Sequence, residues 1–399
     1  MIMTKAMRVR RCSSIQVELD SAARFSFESL CAGGPGLESS PRWLLRAGHL
    51  DQAVEIELDA LGVLQNIPHD KWQSLDDLGE SFPAEQLTKL IESGLLISDR
   101  DEHADWRVRD EALSSLAWWS PALTAQIHGR WFDNDLQTRL DEGLGVDARS
   151  MIEAFGTPPS HRYQHPCSGD TTPLPPTLPT EFDALLEARR TCRNFDRERA
   201  LSQEQLSCLL QRGFAARGSQ VVAEGVTAWK KNMPAGGGMH CIEAFVLVLR
   251  VSGLDCGLYH YRCDEHRLAP LQQMEACAAE TCLRRMVSGQ TWFVDAAAAV
   301  IQVARFDRLF WKYRQHSKAW RVAQLDAGHI SQTLYLSATE LGLGAFITAA
   351  INDGFIEQAL SLQTGVHGCI AINGFGYRSQ AQVYLEMQHV KPLETHKDV

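Results

Sequence analysis

The sequence predicts an α+β chain in two folded parts, and three observations carry that prediction. Seven prolines crowd into residues 156–180: Pro158, Pro159, Pro166, Pro173, Pro175, Pro176 and Pro179. Proline fixes φ and removes a backbone donor, so neither helix nor central strand persists there, and a semi-rigid arm is expected. Before the arm, short strand-like and helix-like patterns alternate. After it come an apolar strand-like run, Ile242 to Val251, and a long helical pattern, Asp326 to Leu341. The expected division is a first domain over 1–155, an arm over 156–180 and a second domain over 181–395, in line with 399 residues being long for one domain.

In the first part, Val54 to Leu58 alternates as a strand does, and Ala60 to Ile67 reads as a short apolar helix. Ser74 is placed to cap a second helix, and Ala84 to Ser93 reads as a third, with Leu87, Leu90 and Ile91 on one face. Gly94 ends it. Leu95 to Ser98 then reads as a strand pairing with Trp106-Arg107-Val108. Three short helices followed by a hairpin are the order of a winged-helix-like module over 50–110. Its third helix carries one lysine against two glutamates, which is a poor match to the major groove. Gripping a leader peptide by strand addition and simply packing on the rest of the chain remain as readings. Residues 110–155 read as mostly helical.

In the second part, Arg189-Arg190-Thr191-Cys192-Arg193 packs three guanidinium groups and a hydroxyl into five residues. Such groups repel one another unless an anion sits among them, and phosphate oxygens match the guanidinium fork. Downstream stand Met233-Pro234-Ala235-Gly236-Gly237-Gly238-Met239-His240, then Gly257-Leu258-Tyr259-His260-Tyr261, Trp311-Lys312-Tyr313-Arg314 and Leu325-Asp326-Ala327-Gly328-His329. With the arginine stretch and the apolar run, these motifs in this order resemble the SagB-type branch of the nitroreductase-like flavoproteins, over about residues 181–390. That branch comprises FMN-dependent dehydrogenases of ribosomal peptide maturation.

The resemblance implies a nitroreductase-like FMN-binding fold, a central antiparallel-rich sheet flanked by helices. It implies that Arg189 and Thr191 meet the FMN phosphate while Arg190 and Arg193 line the ribityl chain and ring edge. Pro234, Ala235, Gly236 and Gly237 match the family's Pro-Ser-Ala-Gly loop, with Ala235 where serine is common. Gly344 and Ala345 lie in the turn and segment that pass beside the ring. There Thr348-Ala349-Ala350 replaces the usual glycine-containing run. Arg378 is either a late phosphate contact or a surface charge. Lys312-Tyr313 resembles the catalytic pair of the azoline dehydrogenases, with Lys312 as base and Tyr313 as hydrogen-bond donor or proton shuttle. The helix from Asp326 places Ile330, Leu334, Ser337 and Leu341 along one stripe; by the resemblance it forms a homodimer seam, with each flavin between two subunits.

Composition narrows the partners. A formal net charge of −10 argues against nucleic acid. No apolar run approaches the ~20 residues of a membrane span, and the basic N-terminus lacks the apolar core of a secretory signal. Eleven cysteines, an odd number without any CxxC, fit a reducing cytoplasm. Cys256, His260, Cys263 and His266 read as a strand–turn–strand hairpin whose alternate residues face opposite ways, so no metal site is expected. Three functions compete. The first is dehydrogenation of azolines in a precursor peptide, alongside a cyclodehydratase or other modifying enzymes. The second is a flavin reductase of dehydroamino acids or of small quinone or nitro substrates using NAD(P)H. The third is a non-catalytic scaffold of a modification complex.

Overall fold

A computed structural model describes residues 6–136, 138, 148–161, 163, 165, 166, 168–175 and 177–387. Pro176 and Cys167, and residues 388–395 at the end of the expected second domain, lie outside the described residues. The chain forms two compact units. Unit 1 comprises Met1–Arg130, Ala304–Gln324 and Glu357–Gly368; unit 2 comprises Trp131–Val303, Leu325–Ile356 and Cys369–Val399.

Unit 1 begins with β1 (Arg8–Arg11), β2 (Ile15–Phe25), α1 (Phe27–Cys31), β3 (Leu37–Ala47) and β4 (Val54–Ile56). There follow α2 (Leu58–Asn66), β5 (Gln73–Ser74), α3 (Leu75–Gly79), α4 (Ala84–Glu92), β6 (Leu96–Ser98), α5 (Ala104–Ser115) and α6 (Ser120–His128). One sheet runs β5-β1-β6 and another β2-β3-β4. Val9, Cys12, Leu45, Leu64, Leu87, Leu90 and Ile97 join their buried side chains in one core. The three short helices form close to where the sequence places them. Ser74 stands at the cap of α3, but its side chain makes no capping bond.

The expected hairpin does not form. Leu96–Ser98 is a strand, but it pairs antiparallel with β1, Val9 opposite Ser98 and Arg11 opposite Leu96. Residues 106–108 lie inside α5. The reason is a buried charge pair. Helical spacing turns Asp110 inward, where it accepts from Arg10 Nη1 at 2.5 Å and from the Ser13 amide at 2.8 Å. A buried guanidinium is tolerable only with such a partner.

Unit 2 carries α7 (Ala148–Phe155), then the arm, whose described residues form no helix or strand. Next come α8 (Glu181–Ala188), α9 (Gln203–Gly213) and the β7–β8 hairpin (Gly218–Ala223, Val226–Lys230). Capping boxes start both helices: Thr180 with Asp183, and Ser202 with Gln205. The remaining elements are β9 (Ile242–Val248), β10 (Gly257–Arg262), β11 (Arg267–Gln273), α10 (Ala276–Met286), β12 (Ala298–Arg305), α11 (Phe306–Lys312), α12 (Ala319–Glu340), β13 (Gly344–Thr348), α13 (Asp353–Ala359) and β14 (His367–Gly376). Of these, α11 falls wholly in unit 1, together with the end of β12, the start of α12, the end of α13 and the start of β14.

The strands make a six-stranded sheet ordered β11-β10-β9-β12-β14-β13, antiparallel at the β9–β10–β11 and β13–β14 pairings. Mixed helix and antiparallel-rich sheet is the expected α+β class. Residues 298–304 of β12 are fully buried, as a central strand covered on both faces must be. Phe293 stacks on Phe346 at 3.8 Å. One polar knot pins α12 to the sheet. Gln302 Nε2 donates to Ser331 Oγ at 2.8 Å and to Asn373 Oδ1 at 2.7 Å, and Ser331 donates to the same oxygen at 3.1 Å. The stripe Ile330, Leu334 and Ser337 is buried within the protomer. Along the same stretch Leu325, Gly328, His329 and Gln332 are exposed.

Candidate active site

The arginine stretch leaves α8 with Arg189 as its C-cap, in extended backbone. It then joins the sheet. Thr191 bridges Ala345 in parallel, and the Cys192 amide donates to the Ala345 carbonyl at 2.8 Å. This close approach depends on Gly344, where an added Cβ would stand 2.5 Å from Cys192 Sγ. Thr191 Oγ1 lies 3.0 Å from the Tyr335 hydroxyl, which also accepts from the Ile347 amide at 3.1 Å. The Arg189 guanidinium sits over the Tyr335 ring at 5.4 Å. Thus Arg189, Thr191, Gly344 and Ala345 are brought together, with Tyr335 of α12 as an anchor that sequence reasoning did not single out.

Arg378 belongs to the same neighbourhood and is not a free surface charge. It donates to the Arg190 carbonyl at 3.2 Å and to Glu386 Oε2 at 3.3 Å. Burial pushes its pKa below the ordinary arginine value, and the nearby charge of Arg190 acts in the same sense. Glu386 also accepts from the amides of Arg193 and Asn194, at 2.6 and 2.9 Å. Burial alone would raise its carboxyl pKa; those bonds, the Asn194 side chain and Arg378 outweigh it and hold the group below its ordinary value. So a carboxylate of the chain does reach this region. It takes the backbone and Arg378, while no carboxylate of the described residues pairs with the guanidinium groups of Arg189, Arg190 or Arg193. All three arginines are half-buried. Arg190 Nε is buried without any hydrogen-bond partner.

The glycine loop is the second part of the site. Residues 236–238 make one turn of 3-10 helix, with φ of 59° at Gly237, a left-handed conformation that favours glycine. The Gly236 amide donates to Asp326 Oδ1 at 3.0 Å. Asp326 is buried, its other carboxylate oxygen has no partner, and burial raises its pKa against the pull of the Gly236 amide and His329. Pro234, Ala235 and Asp326 line one small cavity with Lys231, His240 and Ile330. Lys231 is buried, its Nζ 3.5 Å from Cys263 Sγ. The sequence names Asp326 as part of a motif without a role, and nothing in it singles out Lys231.

A helical-phase argument relates the two parts. Asp326 and Tyr335 are nine residues apart on α12, about two and a half turns. Their side chains therefore leave the helix on opposite sides. The arginine set is served by one face of α12 and the glycine loop by the other.

Lys312 and Tyr313 lie in unit 1, at the end of α11. Lys312 is exposed, with its Nζ 5.6 Å from the centre of the Tyr313 ring. The Cys256–His266 segment forms the β10–β11 hairpin, and its thiols and imidazoles go to separate partners. Cys256 donates to the Leu249 carbonyl, His260 faces Glu243, and His266 bonds Tyr261 and Ser207. Among the described residues there is no cluster that could hold a metal ion, and no helix is long and apolar enough to cross a membrane.

Comparison with known proteins gives three kinds of match. Residues 186–377 match the model of the nitroreductase family. The trifolitoxin-processing protein TfxB of Rhizobium leguminosarum bv. trifolii is 29% identical over 148 residues, 36% of this chain. The match spans only 38% of that protein's length. MJ1384 of Methanocaldococcus jannaschii, which carries the name of a nitroreductase, is 28% identical over 199 residues, covering 49% of this chain and 92% of its own. Among solved structures, the Escherichia coli microcin synthetase McbBCD complex with truncated pro-MccB17 bound aligns at 18% identity and a TM-score of 0.48, covering 64% of this chain and 90% of that one.

Proposed function

Residues 186–377 form a nitroreductase-family domain, and from that premise we propose that the protein is an FMN-dependent oxidoreductase of ribosomal peptide maturation that dehydrogenates azolines to azoles. The observation that carries the cofactor is the unneutralised cation set. A buried donor left without a partner costs about 1–3 kcal/mol; Arg190 Nε is such a donor, and Arg189 and Arg193 of the same stretch are half-buried with no carboxylate of the described residues paired to them. A phosphate monoester would satisfy them. Likeness to a trifolitoxin-processing protein supports a peptide as the substrate class.

The residues fit FMN in two sets. Arg189, Arg190, Thr191 and Arg193 would hold the phosphate and ribityl end, with Arg378 behind them fixing the Arg190 backbone. In the glycine loop, Ala235 and Gly237 would present backbone amides to the ring, with Pro234 shaping the turn and the Gly236 amide held by Asp326; Gly344 and Ala345, which stand with the arginine set, would pass beside the ring from that side. Because the two sets leave α12 on opposite sides, one flavin is best served by the arginine set of one protomer and the glycine loop of a second. That arrangement supports a homodimer.

Bound there, the cofactor supplies a two-electron acceptor for hydride. The chain's own residues have the remaining work. Oxidising an azoline removes a hydride and a proton from adjacent ring atoms, and the proton goes to Lys312 Nζ. A lysine accepts a proton only when its ammonium form is disfavoured by desolvation or a neighbouring cation. Lys312 is exposed in the protomer, so a covering substrate or second protomer completes the base. Tyr313, beside it, orients that proton transfer.

The test is incubation of the purified yellow protein with an azoline-bearing precursor peptide, followed by mass measurement. Loss of two hydrogens per ring is expected. Gain of two hydrogens would instead establish reduction of dehydroamino acids. Rapid NADPH oxidation with small quinones and an unchanged peptide would establish the reductase reading, and a colourless protein would leave the scaffold.

A further inference from the structure

Residues 305–321 of unit 1 form a basic surface that the flavin chemistry leaves unexplained. They hold six cationic side chains against one carboxylate, in a chain with 49 acidic residues against 39 basic ones. That carboxylate, Asp307, is taken by Arg305 at 2.9 Å. Arg314, Lys318 and Arg321 are exposed, and no carboxylate of the described residues pairs with any of them. A chain rich in carboxylates has left this stretch without counter-charge, so an anion arriving from outside meets no competitor there.

Two further features set this surface apart from a solvated basic turn. The first is a fixed scaffold. Phe306 and Phe310, on the buried side of α11, pack on Trp118 with ring centres 4.5 and 4.3 Å away. Arg308, Trp311 and Lys312, spaced i, i+3 and i+4, therefore share the other side of the helix. The turn beyond is pinned by the Gln315 amide, which donates to the Ala117 carbonyl at 2.7 Å, and by the Lys318 amide, which donates to His316 Nδ1 at 3.1 Å. Trp320 Nε1 then donates to Gln126 Oε1 at 3.0 Å and holds the first turn of α12. The second feature is Trp311 itself. It is 59% exposed, next to Lys312, and stacks on no ring of the described residues. A large flat apolar ring left open among cations suits a flat ligand that also carries negative charge.

We propose that this surface sets substrate specificity: it selects peptides in which acidic residues flank the ring to be oxidised. Trp311 stacks on the ring, and Arg314, Lys318 and Arg321 pair with the flanking carboxylates. The selection rests on the azoline reading above, which brings the reacting ring to Lys312. Guanidinium forks at Arg314 and Arg321 match carboxylates two oxygens at a time, with Lys318 as a point charge. Exposed charge contacts are individually weak and screened by salt, so selectivity comes from several acting together.

The test uses the full chain and synthetic peptides with a central thiazole, which bind without reacting, labelled with a net-neutral dye and read by anisotropy. One copy carries glutamates on both sides of the ring, and a second carries glutamines. The glutamate copy is expected to bind about tenfold more tightly at low salt, through three exposed charge contacts. That gap is expected to close by about 0.5 M salt. Arg314→Gln/Lys318→Gln/Arg321→Gln is expected to remove the preference and leave the affinity of the glutamine copy unchanged. Trp311→Ala is expected to weaken both copies alike. Should the triple variant misfold, Arg321→Glu reads the same loss at smaller size. Equal binding of the two copies, a preference that survives the substitutions, or no binding of either would overturn the proposal. So would a short RNA that displaces the glutamate copy at lower concentration than the unlabelled peptide does. Turnover keeps the two readings apart. An azoline peptide unchanged in mass, beside a retained glutamate preference, defeats the dehydrogenase reading and leaves the carboxylate site standing. Oxidation of glutamate- and glutamine-flanked azolines at equal kcat/KM defeats the selection alone.

Discussion

Replacing Arg190 by methionine separates a cofactor ligand from a structural arginine, because the two roles move stability in opposite directions. Arg190 Nε is buried without a partner, and the charge of Arg190 also helps to lower the pKa of Arg378. Methionine keeps much of the length and removes the charge. The Arg190 carbonyl, which receives Arg378, is untouched. In the apoprotein, relief of an unsatisfied buried donor is worth about 1 kcal/mol or more, a rise in Tm of roughly 2–4 °C for a unit of this size. With FMN the sign reverses. Loss of a hydrogen bond to a charged group costs about 1.5–3 kcal/mol, roughly 10- to 100-fold in Kd. At a concentration 100 times the wild-type Kd, FMN stabilises the wild type by about 2.7 kcal/mol, and the variant by about 1.4 kcal/mol or less. Thermal unfolding with and without FMN, beside a fluorescence titration of the flavin, measures both quantities. An apoprotein destabilised by more than ~1 kcal/mol together with a full FMN-induced shift would refute the reasoning and make Arg190 structural.

Four further outcomes follow from the same geometry. Co-refolding Arg190→Glu with Gly237→Val, each flavin-free alone, should restore flavin to about one quarter of sites, since half the dimers are mixed and each has one intact site; no recovery would exclude a shared site. Asp326 has a raised folded pKa, so its stabilising contribution is present below its ordinary value of 3.8 and is lost as pH rises through the raised value. Asp326→Asn, which keeps an acceptor for the Gly236 amide, should therefore gain on the wild type between pH 4 and 7 in urea unfolding, and a flat difference would contradict this. Glu386 has a lowered folded pKa and contributes above its ordinary 4.5, so Glu386→Gln should be destabilised at pH 7 by about 2 kcal/mol, with the gap closing as pH falls. Lys312→Ala should keep its yellow colour and lose about 10²- to 10⁴-fold in turnover, and normal turnover would remove Lys312 from the mechanism.

What the sequence revealed was local, and what it hid was contact at a distance. The apolar run of β9 and the crowded arginines each announce themselves within a few residues. The β1 strand did not, because Arg8-Val9-Arg10-Arg11 looks like a basic tail until Asp99 and Asp110 are supplied from about a hundred residues away. Trp106-Arg107-Val108 alternates as a strand would, yet the inward turn of Asp110 toward Arg10 commits the segment to a helix. Tyr335 is one aromatic among many in a helix; only the fold sets its hydroxyl against Thr191. Glu386 stands 193 positions from the Arg193 amide it accepts from, and no period or motif marks a partner so remote.

The placement of Glu386 also bears on why the arginines remain cationic. A chain with 49 acidic residues against 39 basic ones has carboxylates to spare, and one of them lies within reach of this very turn. Yet its oxygens are consumed by two amides, the Asn194 side chain and Arg378. Those bonds fix the backbone through Arg193 and Asn194 and leave the guanidinium groups of Arg189, Arg190 and Arg193 outside the pairing. Charge is thus neutralised where it would only hold the turn and retained where an incoming anion would meet it. A purely structural arginine cluster would be better served the other way round, with Glu386 bridging the side chains, because unpaired half-buried cations cost stability in an empty protein. The cost is sensible only if a ligand repays it. Tyr335 also leaves α12 half a helical revolution away from Asp326 and the glycine loop, so the proposed flavin site calls for a second protomer rather than a longer reach within one, and the co-refolding experiment decides between them.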